Sequence, residues 1–155
     1  MRPYVYSNGH FHKFMWINEC TVGKNAQNTL PADVSFLQWY FTLAATFPET
    51  SPEHKAVYRN VAVNGLCTGM DGDPLVQSIL IQQRDFRHPV VDGRASLVHG
   101  SGIISDKAFF ILRLGARFAV MFPERWPRLD QIRGCPPLLA NISKSAIPQH
   151  SELHS

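Results

Sequence analysis

Val63-Asn64-Gly65-Leu66-Cys67 and Val91-Asp92-Gly93-Arg94 are two Val-Asx-Gly bends, and one short amphipathic segment, Leu75–Phe86, lies between them. An Asx-Gly pair bends the chain because its side chain bonds the local backbone and its glycine tolerates positive φ. In the middle segment Leu75, Ile79, Leu80 and Phe86 form the core stripe of a helix, which Asp73-Pro74 starts and His88-Pro89 ends. Upstream, Leu30-Pro31-Ala32-Asp33 opens another helix, and Val34, Leu37, Trp39, Phe41, Leu43 and Ala44 give it a wide apolar face that closes near Phe47-Pro48. Gln38 interrupts that face. A glutamine in an apolar setting must find hydrogen-bond partners, and the backbone of the neighbouring bend supplies both kinds, so Gln38 reads as a structural tie rather than a ligand contact.

The same reading extends in both directions. Ser51-Pro52-Glu53-His54 is a capped helix start running to about Arg59, and Cys67–Gly72 is a loop. Ser105-Asp106 is predicted to cap the longest helix, to Met121, with Phe109, Leu112, Ala116, Ala119 and Val120 at helical spacing. Pro136-Pro137 begins a last short helix through Ile142. Residues 1–30 alternate aromatic and polar types among turn formers and read as extended segments or a small hairpin. The expected fold is mainly α: a three-helix core plus a long C-terminal helix and a short extended N-terminal segment. The expected division is 1–30 as that segment packed on the core, 31–142 as the helical domain and 143–155 as a tail.

A chain of 155 residues suits one domain of ordinary core size. The net charge of +3 is concentrated at one end: residues 101–155 hold seven Lys/Arg against four acids, whereas residues 1–100 hold eight of each. A solvated basic face is the plainer meaning, and with no basic block interleaved with aromatics a nucleic-acid partner is not expected. Cys20, Cys67 and Cys135 are far apart and include no CxxC pair, which argues against a disulfide scaffold or structural zinc. The N-terminus MRPYVYSNGHFHKFMW lacks the apolar run of a secretory signal, and the most apolar stretch, Ala108–Phe122, is broken by Arg113, Gly115 and Arg117. The expectation is synthesis in the cytoplasm without a signal peptide, with no membrane span, and residence in a virion or exported particle if the protein leaves the cell.

The order of these elements resembles peptidoglycan-binding domains of the three-helix type and the small bacterial and phage-borne proteins related to them. In that family an apolar-Gln helix precedes a Val-Asp-Gly turn, a Gly-x-x-Thr helix start, a helix ending in Phe-Gln and a second Asp-Gly-Arg-Val turn. Here Val22-Gly23, Asn28 and Asp33-Val34-Ser35-Phe36-Leu37-Gln38 resemble the entry and first helix, Val63–Cys67 the first turn, Leu75–Gln83 the middle helix and Val91–Arg94 the second turn. Gly100–Ser105, Pro127–Asp130 and Cys135-Pro136-Pro137 resemble the C-terminal extension of stand-alone members, so the likeness spans roughly residues 21–140. The resemblance implies a helical scaffold and cell-wall binding. Three positions depart from the pattern: Thr68–Pro74 replaces Gly-x-x-Thr, Gln82-Gln83 replaces Phe-Gln, and Asn64 replaces aspartate. They lie where the family's groove is shaped, which turns the expectation toward protein contacts.

Candidate chemistry is sparse. His10-x-His12 lacks a third metal ligand, and Asp71-Gly72-Asp73 lacks the distant glutamate of a calcium loop and reads as a turn and cap. No phosphate loop, GxSxG elbow or HExxH occurs. Cys67 with His54 or His99 has only residue types in favour of a thiol dyad. No enzyme activity, cofactor or metal is expected. Adjacent Trp39 and Tyr40 cannot both face one core side of a helix, so one is expected outward, where amphipathic aromatics anchor contacts. The candidate binding residues are therefore Trp39, Asn64, Asp92 and Arg94. The expected role is a structural or interaction protein of a phage virion, tail or secretion particle on this scaffold, with protein partners or copies of itself. The alternative is a non-catalytic peptidoglycan-binding module acting in lysis or secretion.

Overall fold

A computed structural model describes residues 1–147, the side chains of Asn8 and Phe11 excepted. Among the described residues, five α-helices are joined by two small antiparallel sheets, which corrects the mainly α expectation to a mixed α/β fold. β1 (Arg2–Asn8) and β2 (Phe11–Ile17) form a hairpin in which Arg2 faces Ile17 and Asn8 faces Phe11. β3 (Val22–Gly23) pairs with β4 (Arg94–Ala95), far along the chain. These strands are part of the core: Met15, Trp16, Ile17, Val22 and Ala95 are all buried. The mainly α reading gave the period-2 alternation of residues 1–17 a subordinate place, although that pattern marks a half-buried hairpin.

α1 (Pro31–Ala44) is the central rod, and all its residues but Pro31 and Thr42 are buried. A helix buried on every side has no outward face. Trp39 and Tyr40 are accordingly both in the core, at 1% and 2% exposure, which corrects the expectation that one points outward. At its first turn the fully buried Asp33 accepts the N–H groups of Glu19 and Cys20 and pairs with the Met1 ammonium at 2.5 Å. A carboxylate there also suits the positive end of the helix dipole. This joint holds the N-terminal segment to α1.

α2 (Pro52–Tyr58) begins as its sequence indicates, the His54 N–H donating to Ser51 Oγ. α3 (Pro74–Asp85) starts at Asp73, which accepts the Leu75 N–H. α4 (Phe110–Met121) begins four residues later than expected, because Ser105 Oγ is taken by the Lys107 N–H in a local turn. It is shorter than α1, so it is not the longest helix. α5 (Pro137–Ala146) runs past Ile142. Its buried Ser143 accepts the Leu129 N–H and donates to Asp130, so the packed body continues to Ile147 instead of ending at 142. The rest of the expected tail, 148–155, lies outside the described residues.

Candidate functional site

Gln38 on α1 grips the first bend. Its Oε1 accepts the N–H groups of Asn64 (3.0 Å) and Gly65 (2.9 Å), while its Nε2 donates to Asn64 Oδ1 (3.0 Å) and the Leu66 carbonyl (2.8 Å). Asn64 Oδ1 also accepts the Leu66 N–H. Gln83 in the last turn of α3 repeats this on the second bend. It accepts from Asp92 N–H (3.1 Å) and Gly93 N–H (2.9 Å) and donates to Asp92 Oδ1 (3.2 Å) and the Arg94 carbonyl (2.9 Å). Asp92 Oδ1 likewise accepts the Arg94 N–H. Each bend presents two donors and two acceptors to one side chain. A carboxamide matches this, with two N–H donors and an oxygen with two lone pairs, whereas a hydroxyl has a single donor, a carboxylate only accepts and an ammonium only donates.

The two bends are joined by the segment after β3. The Lys24 N–H donates to the Gly93 carbonyl, the Asn25 N–H to the Gly69 carbonyl, and Arg94 Nη1 to the Lys24 carbonyl at 2.7 Å. Gly23 permits this approach: a Cβ there would lie 2.1 Å from the Gly93 oxygen.

The four candidate binding residues therefore occupy distinct places. Asn64 and Asp92 spend Oδ1 inside their own bends, each under its own glutamine. Arg94 turns its guanidinium to Lys24. Trp39 belongs to neither bend; its indole N–H donates to the Arg133 carbonyl, its ring lies 4.9 Å from that of Phe118, and it presents no surface to a ligand. A groove beside the first bend is lined by Gln38, Asn64, Thr68 and Asp73, and one beside the second by His88, Asp92, Arg94 and His99. Large apolar side chains stand exposed around the bends, Leu66 (72%) and Met70 (67%) with Val63 at the first, Val90 and Val91 at the second.

Sequence reasoning missed Gln83 and Gly23. Gln83 stood beside Gln82, and residue type alone does not say which of the two turns inward. The available signal was the repeat itself, an inward glutamine ahead of an Asx-Gly bend.

The remaining chemical candidates resolve into structural roles. Asp73 caps α3 and binds Thr68, Asp71 pairs with Lys24, and His12 bonds Ser7. Among the described residues no three His, Cys, Asp or Glu side chains gather closely enough to hold a metal ion. The three cysteines are unpaired. Burial pushes Cys20 up to about 11 and Cys135 up to about 12, and raises Cys67 as well, the reverse of what an activated nucleophile needs. A disulfide-exchange reagent at mildly alkaline pH is therefore expected to label the folded chain far more slowly than the urea-unfolded chain. Rapid labelling of one native thiol would contradict this.

His88 lines the second groove, and burial, reinforced by Arg113, lowers its pKa from 6.5, with Asp92 opposing. The neutral form is thus the folded form. As pH falls the unfolded chain takes up this proton first, so the stability is fully present above about 6.5 and lost as pH falls through the lowered folded value. Urea midpoints are expected to drop on acidification through this range, and less steeply in His88→Gln. Equal slopes would assign the loss elsewhere.

No family model matches the chain, and neither a curated protein nor a solved structure does.

Proposed function

We propose that this chain is a non-enzymatic interaction protein, a structural component of a phage virion, tail or secretion particle, on a peptidoglycan-binding-like scaffold. The kinship rests on the paired glutamine clamps, which give the motif order of that family a physical cause. The role rests on one observation: exposed apolar side chains stand around two rigidly clamped bends. A cluster of exposed apolar groups on fixed backbone is what a protein contact uses. Trp39, the aromatic first expected to meet a ligand, is enclosed by the core.

The test is native mass of the purified chain and recovery of particles from its source, with Leu66→Glu and Met70→Glu as variants. Self-assembly or a co-purifying particle, lost in the variants, is expected. A monomer that sediments with purified peptidoglycan sacculi supports the wall-binding alternative instead.

A further inference from the structure

A separate cleft of about 300 Å³ opens where the end of α1 meets α2, α3 and α4, and it shares no lining residue with the grooves at the bends. That size is at the lower end for small-molecule sites. Its floor is Gln82, which is only 9% exposed. Both the Tyr40 and Tyr58 hydroxyls donate to Gln82 Oε1, each at 3.3 Å. The other end of the amide, Nε2, donates to no described residue and lines the cleft.

Each wall carries a carboxylate paired with a basic side chain. On one side Arg117 meets Glu49 at 2.5 Å, and Glu49 sits on an exposed loop. On the other, His54 Nδ1 lies 3.1 Å from Asp85. Burial pushes Tyr40 up to about 12, so its hydroxyl remains protonated at neutral pH.

We infer that this cleft binds a small zwitterion, a free amino acid or short peptide bearing both an ammonium and a carboxylate. Its carboxylate takes Arg117 in place of Glu49, the loop carboxylate with which Arg117 pairs. Its ammonium meets Asp85, and its carbonyl meets Gln82. The lining holds both signs, Arg117 beside Glu49 on one wall and Asp85 beside His54 on the other, so a ligand bearing both charges can pair at each end. A sugar would find no ring face to stack on, because Tyr40, Tyr58 and Phe47 are each at most 3% exposed. The inference is independent of the role proposed above.

Isothermal titration of the whole chain with alanylalanine tests it, with acetate, ethylammonium and glucose titrated separately. Saturable single-site binding of the dipeptide is expected, with no binding of the three controls. Arg117→Gln should weaken it by about tenfold or more, the scale of one lost charged hydrogen bond. Glu49→Gln lies on an exposed loop and leaves the core intact. It frees Arg117 and should tighten binding several-fold, a gain that damaged folding would not produce. Absence of dipeptide binding in both wild type and Glu49→Gln overturns the inference, as does an equal response to acetate or glucose alone. Affinity unchanged by both substitutions overturns it too.

Discussion

Replacing Gln83 by leucine is expected to cost about 4 kcal/mol of unfolding free energy, roughly a 10 °C fall in Tm for a chain of this size. The substitution keeps the bulk and removes four hydrogen bonds at once. It strands the Asp92 and Gly93 N–H groups and the Arg94 carbonyl, each worth about 1–3 kcal/mol when buried and unpaired. Asp92 is half-buried, so water relieves part of the sum and the lower end applies. Urea denaturation followed by circular dichroism measures it, and a loss under about 1 kcal/mol would show that the bend stands without its clamp. Two companions sharpen the comparison. Gln83→Glu sets a second carboxylate 3.2 Å from Asp92, whereas Gln38→Glu faces the neutral Asn64, so the first is expected to be the more damaging. Asn64→Asp and Asp92→Asn each preserve the accepting Oδ1 and should both be tolerated.

Trp39→Ala is the second large effect, a loss of about 3–5 kcal/mol from emptying a fully packed aromatic site. The indole packs edge-on against Phe36 and tilted against Phe118, which in turn stacks on Trp126. It also satisfies the Arg133 carbonyl, next to Gly134, where a Cβ would lie 3.4 Å from the indole nitrogen. Trp39→Phe keeps an aromatic ring but gives up the N–H and part of the indole volume, so it should cost less than Trp39→Ala. Denaturation of both variants checks this. A Trp39→Ala chain of unchanged stability but impaired assembly would instead make Trp39 a surface contact.

The sequence made legible what depends on neighbours along the chain. Ser51 and Asp73 marked helix starts because a cap acts within three residues, and Gln38 was readable as a tie because a polar residue on an apolar face has few other outcomes. The α4 start was missed because Ser105 has two local uses, cap or turn, and the chain takes the turn. The all-round burial of α1 was hidden because it is imposed by distant partners, Phe118 and α5 among them. The zwitterion cleft was invisible for the same reason: Tyr40, Tyr58, Gln82 and Arg117 come from four helices, and no spacing links them. Asn64 and Asp92 lie in the bends and Arg94 opens β4, and their polar atoms are engaged within the fold.

The twin clamps differ in one respect that bears on how the molecule assembles. Gln83 reaches only 9 to 11 residues ahead, whereas Gln38 reaches 26 to 28. Closing the longer loop costs about 0.9 kcal/mol more chain entropy. The helix-and-hook unit from Pro74 to Arg94 can therefore organise early and serve as a nucleus, with α1 docking onto it afterwards. Lesions at Gln83 would then slow refolding, while equivalent lesions at Gln38 would chiefly hasten unfolding.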